Sequence, residues 1–231
     1  MRVPTKMLVC LANSYKHSER CVAGIEISSR KWIRPVSSRP SRGVSATERH
    51  YAGGSEPRVL DIVDVPLRGP QPLGFQQENW LLDATRKWRK VGRLGLTALA
   101  ALESPRESLW LNGASTSRGS NDRVPDAAAQ PIRDSLRLVG VDRATVQVMP
   151  DPWSPGGHPS VRIQFAYASF AYNLKVTDPV YRAKFQAKGV GSYKLGKSYL
   201  TISLSEAYDD GSSYKLVAAI VEAAGLDSRT A

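Results

Sequence analysis

Lys and Arg clusters that alternate with aromatic residues are the feature of this chain best suited to chemistry. Cations neutralise phosphates and rings stack on bases, so the combination suits single-stranded nucleic acid. One cluster comprises Lys16, His17, Arg20 and Arg34, near Tyr15 and Trp32, with Arg39 and Arg42 just beyond. A second is Arg86, Lys87, Arg89 and Lys90 around Trp88. A third, Tyr181 to Tyr199, sets Arg182, Lys184, Lys188, Lys194 and Lys197 among Tyr181, Phe185, Tyr193 and Tyr199, with no acid between. Lys215 lies in the last apolar run. The expected interface is Lys16, His17, Arg20, Arg34, Trp88, Arg182, Lys194 and Lys215. The competing reading of each aromatic is core packing, above all for Trp32 inside an apolar run. That of each cation is a solvated face.

Other chemistries find less support. Asp61 and Asp64, with Glu78 downstream, are residue types that hold Mg²⁺ in nucleases. Three residues apart on a strand, however, the two aspartates face opposite sides. Asp178, followed by Pro179, reads as a helix cap. Cys10 or Cys21 with His17 lacks an orienting carboxylate, and both cysteines read as small apolar residues. His17, His50 and His158 are too scattered to hold a metal. Gly189-Val-Gly-Ser-Tyr-Lys and Gly156-Gly157 resemble phosphate loops but lack the second glycine at the required spacing. No catalytic residue, cofactor or metal is expected.

Composition agrees with an anionic partner. The 231 residues carry 32 Lys and Arg against 21 acids, a net charge of +11. Residues 1–112 hold 18 of the basic and 10 of the acidic side chains, so the field points from the N-terminal half. Two cysteines are too few for a disulfide framework and fit a reducing compartment. No apolar run approaches the roughly 20 residues of a membrane helix. A cytoplasmic protein without membrane attachment is expected.

The elements that must position these residues are mainly strands. Met7–Ala12, Cys21–Ile27 and Trp32–Val36 read as a meander with basic loops. A long Ser- and Arg-rich loop, Ser37–Pro57, precedes a β-branched strand that ends at Pro66. A fifth strand lies near Trp80–Trp88. Leu94–Leu102 has helical spacing, and Ser104-Pro105 with Glu107 reads as the start of another helix. Asn112–Gln130 is poor in large apolar residues. Strands then return at Leu136–Val141, Thr145–Met149, Val161–Tyr167 and Ser169–Val176. A helix from Asp178 to about Ala187 follows, then strands Tyr199–Leu204 and Tyr214–Val221, the last with a helix as alternative. Three strands, a helix and two strands is the order of an OB-fold, a five-stranded Greek-key barrel. The second half fits it well, the first half less so. The expected fold is mainly β with interspersed α: an OB-like barrel with appended helices over 1–112, a linker over 113–134 and an OB-like barrel over 135–231.

Several phrases in order resemble the bacterial dual-OB-containing domain family: Leu11-Ala-Asn-Ser with Arg20-Cys-Val-Ala-Gly-Ile; Trp32-Ile-Arg-Pro-Val; Glu78-Asn-Trp-Leu; Val176-Thr-Asp-Pro-Val-Tyr; and Ile202-Ser-Leu-Ser-Glu with Tyr214-Lys-Leu-Val-Ala-Ala-Ile. The resemblance implies two OB-like barrels and a nucleic-acid-sensing role in bacterial conflict or defence systems. It supplies no catalytic residues. The expected function is binding of nucleic acid, single strands favoured, or of a nucleotide-like anion. The alternatives are a small nucleic-acid- or nucleotide-processing enzyme and an interaction module docking a partner protein encoded nearby.

Overall fold

The computed structural model describes residues 5–16, 18–152 and 154–223. The chain divides into two compact units. The first holds the residues up to Leu102 together with Arg133–Ser135; the second holds Glu103–Ile132 and the residues from Leu136 onward.

The first unit contains β1 (Thr5–Lys16), β2 (Glu19–Glu26), β3 (Trp32–Val36), the one-turn helix α1 (Ala46–Arg49), β4 (Asp61–Pro70), β5 (Asn79–Leu82) and β6 (Arg89–Arg93). β1 pairs with β2 and β4, β2 with β3, β3 with β5 in parallel, and β5 with β4. These five strands close a barrel with OB connectivity. β6 adds to β4 outside that circuit. The interior is filled by Leu8, Cys10, Val22, Ile33, Val63, Val65, Leu67 and Trp88. The Ser37–Pro57 loop belongs to this core, because its Val44 is fully buried and joins β2 through two backbone bonds with Arg20. α1 starts on a capping box between Ser45 and Glu48.

The second unit contains β7 (Arg123–Pro125), the one-turn helix α2 (Asp126–Ala129), β8 (Leu136–Val141), β9 (Ala144–Met149), β10 (Ser160–Tyr167), β11 (Phe170–Val176), α3 (Pro179–Gln186), β12 (Gly191–Leu195), β13 (Ser198–Leu204) and β14 (Ser212–Glu222). β8 pairs with β13 and β9 with β12 in one register: Val141 faces Ser198, and Ala144 faces Leu195. The breaks at Asp142-Arg143 and Gly196-Lys197 therefore interrupt two long strands without shifting them. With each counted as one strand, the antiparallel pairs β9–β10, β10–β11 and β13–β14 and the parallel pair β11–β14 repeat the first unit's order. α3 sits between the third and fourth strands, and Asp178 caps it by accepting from the amides of Val180 and Tyr181. The core gathers Val146, Ile163, Leu174, Phe185, Leu200, Ile202 and Val217.

Two sequence expectations are corrected by the structure. The helix expected at Ser104 does not form: the Ser104 hydroxyl accepts from the Leu138 amide and its own amide donates to the Leu138 carbonyl, so this residue pairs with the edge of β8. Leu94–Leu102 forms two single turns of 3₁₀ helix in place of an α-helix. Within 113–134, β7 pairs with β14 and Ser120 bridges Asn173.

Each barrel has one parallel pair, the weaker kind of ladder, and each buries an arginine–carboxylate pair beside it. In the first unit Arg34 on β3 meets Glu78 at 3.1 Å, both side chains about 5% exposed. Ser135 accepts from Arg34 at 2.7 Å and donates to Glu78. Asn79 accepts from Arg34 and donates to Gln76. In the second unit β11 and β14 pair only at Lys175–Val176 with Leu216–Val217. Residues 120–125 continue the pairing where these strands part: Ser120 bonds to β11, and β7 bonds to β14. Asp122 in this wedge accepts from Arg162 of β10 at 2.7 Å, and Arg162 also donates to Asn173. Gly119 passes directly over this pair; a Cβ there would fall 1.7 Å from Asp122 Oδ2.

Lys215 is the wedge's second anchor. Its side chain is fully buried, its amide donates to the Asp122 carbonyl, and Nζ donates to Leu111 O at 2.6 Å and Asn112 Oδ1 at 2.8 Å. Burial pushes its pKa down to about 7, opposed by the charge of Asp122.

Two predictions follow from these pairs. Glu78→Ala leaves Arg34 buried without its counter-ion, and chemical denaturation should show a loss of about 3–5 kcal/mol; an unchanged midpoint would refute the role given to the pair. The folded protein binds fewer protons at Lys215 than the unfolded chain between pH 7 and the ordinary lysine value of 10.5. Stability should therefore rise from pH 7 to 9.5, by at most about 1.4 kcal/mol per unit from this group. Urea midpoints at pH 7, 8 and 9 should climb less steeply in Lys215→Met; equal slopes would exclude the assignment.

Candidate nucleic-acid interface

The expected interface residues separate into buried anchors and surface groups. Arg34, Trp88 and Lys215 are 4%, 2% and 0% exposed, so none reaches a polymer at the surface. Arg34 and Lys215 are held by the partners described above, and Trp88 fills the first barrel's core. Arg20 is half-buried, with its guanidinium 4.3 Å from the exposed ring of Tyr15. Lys16 is half-buried beside it in sequence, and His17 lies outside the described residues. Arg39 bonds to Glu19 and Glu48, and Arg49 to Glu56, so the basic loop is largely neutralised by its own acids. In the third cluster Phe185 and Tyr199 are core residues, while Tyr181 and Tyr193 pack against the core. Lys184 pairs with Glu222, Arg182 is half-buried, and Lys194 is exposed.

Lys194 is placed by the second barrel's pleat. Residues paired across antiparallel strands point to the same face. The register therefore aligns Lys194, Thr145, Gln164 and Asn173 in one row across β12, β9, β10 and β11, and Ser192, Gln147, Arg162 and Lys175 in the next. Both rows lie opposite the core row of Tyr193, Val146, Ile163 and Leu174. Lys194 and Lys175 stand on the two outer strands of this face, three strand spacings or roughly 15 Å apart. Amides and hydroxyls lie between them, and neither row contains a carboxylate. Among the described residues, neither lysine's side chain makes a hydrogen bond or ion pair.

Sequence reasoning missed Lys175, Gln147 and Gln164. The available signal was the alternation of Val161-Arg-Ile-Gln-Phe, which sends Arg162 and Gln164 to one side. Charges of both signs surround Lys175. Partial burial is the largest cause of its lowered pKa; Asp151 opposes the shift, and Arg182, Arg162 and Arg118 add to it. Arg118 is exposed and pairs with Asp151 at 3.2 Å. Next to Lys175, Arg162 is covered, because Asp122 and Asn173 hold it.

Cys10 is poorly placed to act as a nucleophile. Cys10 is buried, and burial, reinforced by the charge of Asp61, pushes its thiol up to about 12. Asp61 is buried as well. Its burial alone would raise its pKa, but bonds from Lys90, the Arg58 amide and the Tyr51 hydroxyl outweigh this and lower it. Asp64 lies on the opposite face of β4 and pairs with Arg89. Among the described residues no three His, Cys, Asp or Glu gather to hold a metal ion, and no helix is long and apolar enough to cross a membrane.

OB barrels are general platforms for oligonucleotides and oligosaccharides. No curated protein and no solved structure matches this chain. The family described as "Dual OB-containing domain" matches residues 6–220. With that match over nearly all of the sequence, and two units of OB strand order, the chain belongs to the dual OB-containing domain family.

Proposed function

We propose that this protein binds nucleic acid, with single strands favoured, on the polar face of its second barrel. The observation that carries the reading is the pair of unpartnered lysines, Lys175 and Lys194, at the two sides of a face with no carboxylate in its rows. The OB order supports it as well, since the second and third strands of OB barrels are a common ligand face; here these are β10 and β11. Phosphates are neutralised by the lysines and by the Arg118 and Arg182 side chains near Lys175. Gln147, Gln164, Thr145 and Ser192 supply donors and acceptors between. Few aromatic rings stand on the face, so the contact is dominated by charge and tolerant of sequence. A sensing role in a bacterial defence system, carried out in the cytoplasm, is the setting in which we place such a module.

Anisotropy of a labelled oligonucleotide tests this. Each phosphate neutralised on a single strand contributes about −0.7 to the slope of log K against log salt. Lys175→Glu/Lys194→Glu should weaken binding at least tenfold and make the slope shallower by about 1.4. A flat salt response in the wild type, or an unchanged slope in the variant, would overturn the assignment. Retention of a partner protein without any nucleic-acid binding would favour a docking module instead.

A further inference from the structure

The polar face of the second barrel carries a distinction that charge alone does not use. Its lysines stand on the outer strands, Lys194 on β12 and Lys175 on β11, while the middle strands, β9 and β10, present Thr145, Gln147 and Gln164. Ser192 joins them from β12, in the row of Gln147. Gln164 and Ser192 are exposed, and Thr145 and Gln147 are half-buried. Among the described residues, the side chains of Thr145, Gln164 and Ser192 make no hydrogen bond. Gln147 Oε1 accepts from the Asn173 side chain at 3.5 Å, which leaves Gln147 its two N–H donors.

The two rows contain no aromatic ring, so they offer a base no stacking platform. The next pair on this face along β10 and β11, Ala166 with Ala171, is exposed and small, so a ligand backbone can lie close to the sheet. A strand whose phosphates meet the two lysines therefore crosses the middle strands with its sugar edge down and its bases turned away. What the sugar presents there depends on its 2′ position. Deoxyribose has only hydrogen at that carbon, whereas ribose has a hydroxyl that both donates and accepts. Gln164 combines N–H donors with a carbonyl acceptor, and Thr145 and Ser192 each carry a hydroxyl that does both. Such groups match the 2′-hydroxyl whichever way its proton points. Against a 2′ hydrogen they give up bonds to water and gain none in return.

We infer that this face prefers RNA to DNA, with Thr145 and Gln164 reading the 2′-hydroxyl. The inference rests on the nucleic-acid reading of the face and adds the class of strand it takes. Thr145 on β9 stands directly opposite Gln164 on β10, so both reach one sugar.

Anisotropy of labelled oligo-uridine and oligo-deoxyuridine of equal length tests this, since the two differ only in the 2′ substituent. The wild type should bind the uridine strand about tenfold tighter, the worth of one or two net hydrogen bonds. Thr145→Val/Gln164→Leu keeps the size of both side chains and removes their polar atoms. It should bring uridine-strand binding to within about twofold of the deoxyuridine strand. Deoxyuridine-strand binding should stay at its wild-type level, which also shows that the variant folds. Lys175→Glu/Lys194→Glu should weaken both strands by the same factor, because their phosphates are alike. Equal binding of the two strands by the wild type would overturn the RNA preference and leave the nucleic-acid reading standing; binding of neither would overturn both. A preference that survives in Thr145→Val/Gln164→Leu would overturn the roles given to these two side chains.

Discussion

Each barrel depends on closing its one parallel pair of strands. Parallel ladders are slanted and slightly weaker than antiparallel ones, and in the second barrel the pairing lasts only two residues. Both units meet the problem with a buried arginine and a carboxylate, Arg34 with Glu78 and Arg162 with Asp122. Removing two charges from water is costly, and attraction offsets it only where the remaining donors and acceptors are bonded. The polar neighbours of each pair go far toward that condition: Ser135, Asn79 and Gln76 in one, which leave Arg34 Nε and Glu78 Oε2 without a bond, and Thr116 with the side chain and carbonyl of Asn173 in the other. The condition also explains why the segment between Leu102 and Leu136 cannot be a passive connection. Its residues supply Ser135 to the first seam and Asp122 to the second.

Satisfying these seams and loops consumes much of the basic composition. In the first unit Lys6, Arg34, Arg39, Arg49, Arg68, Arg89, Lys90 and Arg93 all lie within ion-pair distance of an acid. The larger net charge of the N-terminal half is therefore a poor guide to where a polyanion docks. What matters is the charge left after internal pairing. By that measure Lys175 and Lys194, in the second unit, are the better candidates.

The barrel order of the second half was legible because its strands alternate cleanly and Asp178-Pro179 marks the helix start. β12 escaped notice, since Gly191-Ser-Tyr-Lys-Leu follows a glycine pair that reads as a loop. The first half looked irregular because β5 is only four residues long and its partner in the parallel pair, β3, only five. Local signals were also overruled by distant ones: Ser104 has the sequence of a helix cap, yet its hydroxyl serves Leu138, 34 residues away. The same distance problem governs the site residues. Arg34 finds Ser135 101 positions on, and Lys215 finds Leu111 104 positions back. A cation in an apolar run looks identical in sequence whether its partner is a phosphate or a buried carbonyl. Lys194 differed because an alternating strand between glycines leaves its outward positions in water.

Arg162 and Lys175 show how differently two cations on one face can be held. They stand opposite each other across β10 and β11. Arg162 receives an internal carboxylate and two oxygens of Asn173, and so fixes the wedge. Lys175 receives no bonded counter-ion and sits among three arginines, with only Asp151 opposing them. Burial is the largest cause of its lowered pKa, and Asp151 opposes the shift more than any one of the arginines adds to it. The fold thus holds one cation still with a bonded acid and leaves its neighbour, at the next strand, with only the more distant charge of Asp151.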